Sequence, residues 1–115
     1  MTTRDEVNQF LRTFKAKLKV YDIIFTDDRA KNTQALLDLE ITPDDRKKVL
    51  EQLEVTGYVE GPLDETMYGG GAMWVFGSVI KGKEIYIKIT QGMANGPVIC
   101  ISFHSSEHDL NYPFR

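Results

Sequence analysis

The sequence is poor in the residues that would narrow its function at once. It has one cysteine, Cys100, which excludes an internal disulfide framework and a multi-cysteine zinc site. No stretch approaches the roughly 20 apolar residues that a membrane-spanning helix needs. The opening Met1-Thr-Thr-Arg-Asp-Glu lacks the charged-then-apolar layout of a signal peptide. The expectation from these absences is a cytoplasmic protein with no membrane contact. An excess of positive charge is missing too: net charge is −3 and the pI is near 5.3, so the broad basic field of a nonspecific nucleic-acid binder is excluded. Neither half carries a net positive charge, so any polyanionic partner must meet a local cluster of cations.

The composition that remains is that of a folded globular protein, with 42% hydrophobic and 27% charged residues. A length of 115 residues fits one domain, 1–115, around one core. Residues 1–55 read as a mainly helical half. Thr3-x-x-Glu6 is a capping box, and Val7, Phe10, Leu11, Phe14 and Leu18 recur at helical spacing behind it. Ile23–Phe25 is a short apolar run that reads as extended. Ala30–Leu39 reads as a second helix, with Asp27 or Asp28 at its start. Thr42-Pro43-Asp44-Asp45 opens a third with a cap, a proline in the first turn and two acids near the positive end of the dipole. Val49, Leu50 and Leu53 face inward behind it, and Gly57 closes the unit.

Residues 56–115 change period from 3.6 to 2 and read as an antiparallel sheet. Met73–Ile80 and Lys83–Thr90 flank a two-residue turn at Lys81-Gly82, and Pro97–His104 forms a further strand. The fold class is therefore α+β, with N-terminal helices packed on a C-terminal antiparallel sheet. The hairpin register places Trp74, Phe76, Ile85, Ile87 and Ile89 on one face, and strict alternation adds Ile99, Ile101 and Phe103. The other face then holds Met73, Val75, Gly77, Glu84, Tyr86, Lys88, Thr90, Cys100, Ser102 and His104. A one-residue slip would send the apolar set into water.

Three groups on or near that polar face carry chemistry. Tyr86, Lys88 and His104 combine a phenol, an ammonium and a group that titrates near neutrality; the plain alternative is the ordinary Tyr and Lys alternation of a solvated strand. His104-Ser-Ser-Glu107-His108 matches the inverted zinc-peptidase spelling H-x-x-E-H. It follows a strand rather than lying on a helix, so metal binding is not expected, and Glu107 reads better as orienting His104 or His108. The acidic pairs Asp27-Asp28 and Asp44-Asp45 read as helix starts, and Asp64-Glu65 as a loop. Gly69-Gly70-Gly71 lacks the Gly-Lys-Ser/Thr of a phosphate loop and reads as a flexible joint. Tyr112-Pro113-Phe114 reads as a docking tail.

The strand sequences Met73-Trp-Val-Phe-Gly77, Gly82-Lys-Glu-Ile-Tyr-Ile-Lys-Ile-Thr90 and Val98-Ile-Cys-Ile-Ser-Phe-His104 resemble the motility quorum-sensing regulator (MqsR) family. Those bacterial toxins cleave messenger RNA in type II toxin–antitoxin pairs and share a small α+β fold with the RelE-type endoribonucleases. The resemblance spans about residues 58–104. It implies metal-independent cleavage of single-stranded RNA by the substrate's own 2′-hydroxyl, with no cofactor, no direct role for DNA, and a cognate antitoxin as partner. Tyr86 and Lys88 fall on matching family positions and, with His104, would be catalytic; Lys81, Lys83, His108 and Arg115 would bind substrate. Val59, Val75 and His104 stand where the family has a lysine, a glutamine and a lysine. The competing expectations are a noncatalytic protein-binding module using the same sheet face, and a metal-dependent hydrolase built on His104, Glu107 and His108.

Overall fold

A computed structural model of the chain describes residues 1–26, 30–64 and 71–115. Asp27 and Asp28 as a helix start, Glu65 of the third acidic pair, and Gly69-Gly70 lie outside the described residues. The elements run α1 (Arg4–Tyr21), β1 (Ile23–Phe25), α2 (Ala30–Leu39), α3 (Pro43–Glu51), a 3-10 turn (Val55–Gly57), β2 (Tyr58–Leu63), β3 (Met73–Ile80), β4 (Lys83–Thr90) and β5 (Val98–Ser105). Among the described residues no helix is long and apolar enough to cross a membrane.

Both helix starts form as their sequences dictate. The Thr3 hydroxyl accepts from Glu6 N–H while the Glu6 carboxylate accepts from Thr3 N–H, and Thr42 and Asp45 repeat the exchange at α3. The α1 stripe Val7, Phe10, Leu11, Phe14 and Leu18 is buried against the sheet. There the Phe10 ring stacks on Trp74 with centroids 4.6 Å apart. Lys17 reaches past the stripe to the loop after β4, its ammonium donating to the carbonyls of Gln91 and, at 2.8 Å, Met93. Burial lowers its pKa.

The sheet has the order β1-β5-β4-β3-β2. The β3–β4 register is the expected one, pairing Trp74 with Ile89, Phe76 with Ile87 and Ile80 with Lys83. Lys81 (φ 51°) and Gly82 (φ 81°) both take the left-handed conformation of the turn that suits strand twist. Two features correct the sequence expectations. The sheet is mixed rather than wholly antiparallel, because β1 runs parallel to β5 along its outer edge. Its chain arrives from α1 and leaves through two helices, the kind of long connection a parallel pair requires.

The second correction concerns β5. Phe103 faces Ile87 and Ser102 faces Lys88, but the next pair is Cys100 with Ile89. Ile101 is therefore an extra residue, a β-bulge, and the bulge inverts the alternation for everything before it. Val98 and Cys100 join the helix-side core cluster, while Ile99 lies opposite Thr90 on the other face. Cys100 is thus a core residue and not part of the polar face, and Ile99 and Ile101 are not in the core layer assigned by strict alternation.

The bulge is held by a side chain. β1 ends at Phe25, and beyond it the outer edge of β5 would carry unpaired backbone groups in a buried place. Asn32, itself 2% exposed, fills the gap from α2. Its amide donates to Ile101 O at 2.9 Å and Thr26 O at 3.1 Å, and its carbonyl accepts from Phe103 N–H at 3.0 Å. Thr26 adds a hydroxyl donation to Ile101 O at 2.8 Å. One carboxamide thereby continues the strand pairing that β1 abandons and ties α2 to the last strand.

Candidate functional site

The face of the sheet away from α1 divides into two parts. Over β3 and the start of β4 lies the C-terminal tail. Glu84 accepts from Leu110 N–H at 3.0 Å and from the Tyr112 hydroxyl at 2.8 Å. The phenol sits in a notch that only glycine leaves open, since a Cβ at Gly77 would fall 2.1 Å from Tyr112 Oη. Burial and then the Glu84 bond push the Tyr112 pKa up to about 12. Phe114 turns the edge and stacks on Tyr58 with centroids 5.3 Å apart, and Arg4 donates to its carbonyl at 2.9 Å. The docking tail expected from Tyr112-Pro113-Phe114 is present, and Glu84 is its anchor rather than an open polar group.

The remaining part is chemically loaded. Tyr86 pairs with His104 and Lys88 with Ser102 across β4 and β5, so these side chains share a face by register. The Tyr86 and His104 rings lie nearly parallel, 19° apart in plane with centroids at 5.5 Å. The Lys88 ammonium is 5.8 Å from the Tyr86 ring centre. His104 Nδ1 is 3.0 Å from the Ser105 carbonyl oxygen. A carbonyl oxygen only accepts, so in this contact Nδ1 carries the proton, and the neutral imidazole presents its lone pair at Nε2.

These residues open onto a hollow of about 310 Å³, bounded by Lys31 on α2, Ser102 on β5, and Glu107, His108 and Leu110 after β5. A second hollow of about 380 Å³ lies between α2 and the end of β5, with Lys31, His104 and Glu107 in common with the first. The boundary between them is the ion pair of Lys31 with Glu107. Hydrogen bonding to Lys31, reinforced by its charge, holds the Glu107 carboxyl below the usual carboxylate range. Glu107 therefore serves α2, and the role expected for it in orienting a histidine is replaced by this pairing. Among the described residues no three of His, Cys, Asp and Glu converge into a group able to hold a metal ion.

The sequence-predicted site residues separate into two sets. Tyr86, Lys88, His104 and His108 meet at one hollow, and Lys83 borders an adjoining one with His108. Lys81 lies at the hairpin tip, donating to the Glu40 carbonyl at 3.1 Å. Arg115 stacks over the Tyr112 ring at 4.0 Å and lines a separate depression with Gly57 and Gly77. Neither Lys81 nor Arg115 is placed with Tyr86, Lys88 and His104. The residue that sequence reasoning missed is Lys31. Its contact with Glu107 joins positions 76 apart, and no local pattern marks it. No protein-family model, curated protein or solved structure matches the chain.

Proposed function

We propose that this chain is a metal-independent endoribonuclease acting on single-stranded RNA at the Tyr86–Lys88–His104 hollow. The observation that carries it is the convergence of an imidazole presenting Nε2, an ammonium and a phenol on one open face of an otherwise acidic protein. In this reaction His104 Nε2 takes the proton of the ribose 2′-hydroxyl, and the 2′-oxygen attacks the adjacent phosphorus. The bond from phosphorus to the 5′-oxygen breaks, leaving a 2′,3′-cyclic phosphate. The departing oxygen takes a proton from the Tyr86 phenol and ends as a 5′-hydroxyl. Lys88 offsets the charge that develops on the phosphoryl oxygens, and Tyr86 orients the nucleotide. Such chemistry needs the 2′-hydroxyl, which selects RNA over DNA.

The strand sequences support the same reading through their resemblance to messenger-RNA-cleaving toxins, which adds a cognate antitoxin as the protein partner and the cytoplasm as the place of action. The test is cleavage of a fluorescent single-stranded RNA in EDTA, beside a copy that is 2′-deoxy throughout. Wild type should cut only the all-ribose strand, and His104→Ala should lower the rate by roughly 100-fold or more. Wild-type rates in both His104→Ala and Lys88→Ala would remove the hollow from the mechanism.

The net charge of −3 favours a second reading, a noncatalytic module that binds a protein partner through the same sheet face. It predicts no cleavage of any RNA, no growth arrest on expression, and a stoichiometric partner lost in the Lys88→Glu variant.

A further inference from the structure

The hollow between α2 and β5 has no part in the chemistry above, yet it shares a wall with the site. Its floor and sides combine three unlike features. Ala30 and Ala35 line it with small side chains. Gln34 donates from its amide to Asp38 Oδ1 at 2.9 Å. Among the described residues, Asp38 Oδ2 and Gln34 Oε1 then remain as acceptors on the hollow's α2 side. Lys31 stands at the opening toward His104, held by Glu107, and their side chains are 63% and 58% exposed. An ion pair that open to water is weak and exchangeable, so an arriving phosphate can take the ammonium from Glu107. A phosphate contact beside an acceptor-lined slot is the outline of a nucleotide site.

We propose that the α2 hollow is a second nucleotide subsite, continuous with the first, that holds the residue next to the scissile phosphate. Lys31 takes that nucleotide's phosphate from Glu107, and the acceptors of Asp38 and Gln34 face its base. Because they offer oxygen lone pairs to the base, the subsite favours bases with an exocyclic amino group, namely adenine, cytosine and guanine, whose two N–H can serve both acceptors, over uracil, whose one donor is N3–H. The substrate class rests on the RNA reading above, but binding here needs no cleavage.

The experiment uses 2′-O-methyl hexamers of A, C and U, which this chemistry cannot cut, and follows binding by fluorescence anisotropy across a salt series. Wild type should bind the A and C hexamers roughly tenfold more tightly than the U hexamer, as one good base-edge contact is worth. Asp38→Ala should remove that preference and leave U binding unchanged. Lys31→Ala should weaken all three and reduce the salt slope by about 1, while Glu107→Gln should tighten all three. Equal binding of the three hexamers by wild type, or a preference that survives Asp38→Ala, would overturn the subsite. So would absence of binding to any hexamer. If the hexamers bind as described and unmodified RNA is never cut, the subsite stands and the ribonuclease reading falls.

Discussion

On the helix side of the sheet, Phe76, Ile87 and Phe103 are fully buried beneath α1, whereas on the other side of the same strands Tyr86, Lys88 and His104 are only half-buried. The first face is lined mainly by packed apolar side chains. The second is a patchwork: a tail on Glu84 and Gly77, a buried strip at Val75 and Thr90, and an open hollow at the end of β5. The difference shows where this sheet keeps rigidity and where it keeps chemistry. These side chains are mounted on strands whose reverse side is fully buried, so their positions are fixed by residues on the opposite face of the sheet.

The sharpest way to break that arrangement is from behind. Phe103→Ala removes a fully buried ring directly next to His104 in the chain and opposite Ile87. It should cost about 4 kcal/mol, read as a lower urea midpoint with unchanged slope. Asn32→Leu comes next. It keeps the volume near that of the native side chain but orphans Phe103 N–H at a buried edge and leaves the Ile101 carbonyl only the Thr26 hydroxyl. A loss of about 2 kcal/mol is expected, most of it from the orphaned N–H. A loss no larger than that of an ordinary surface substitution would show that the bulge does not depend on the carboxamide.

The third substitution works on the patchwork side. Gly77→Ala drives a methyl into the Tyr112 phenol, which should cost about 1–2 kcal/mol and expose the tail to protease. Combined with Tyr112→Ala the two changes should be far from additive, because each removes the same contact. Additive losses would mean that Gly77 is small for another reason.

Much of this layout is readable in the chain and some is not, for identifiable reasons. The capping boxes at Thr3 and Thr42, the α1 stripe and the Lys81-Gly82 hairpin depend on neighbours within a few positions, and all form as read. The β5 bulge depends on Asn32 and Thr26, 69 and 75 residues away from Ile101, so alternation runs straight through it and misplaces Cys100 and Ile99. β2 escapes the period-2 reading because Gly61 and Pro62 interrupt it and its pairing with β3 slips twice. At the site, parity brings Tyr86, Lys88 and His104 together because they lie after the bulge. Lys31 enters from another element altogether.

Smaller effects test the tail against the hollow. The Tyr112 pKa is raised to about 12, so the folded state keeps the phenol protonated where the unfolded chain has begun to ionise. Its contribution to stability is therefore complete below the ordinary tyrosine value near 10 and is lost as pH climbs from there toward 12. Tyr112→Phe lacks that proton, so the wild-type advantage over this variant should shrink across the same window in paired urea titrations. A constant difference would place the Tyr112–Glu84 bond outside the stability of the tail.

The smallest stability change should come from the hollow itself. His104 donates to the carbonyl of its own neighbour and stacks on a ring that is itself half exposed; α2 is tied to β5 by Asn32 instead. Replacing it by alanine should therefore lower stability by less than about 1 kcal/mol, the worth of one aromatic contact, while the strands behind it stay in place. The circular dichroism spectrum and urea midpoint of His104→Ala should thus overlay those of wild type closely, even as RNA cleavage falls. A loss comparable to that of Phe103→Ala would mean that His104 holds the sheet together, and that its half-buried ring is part of the framework rather than something the framework presents.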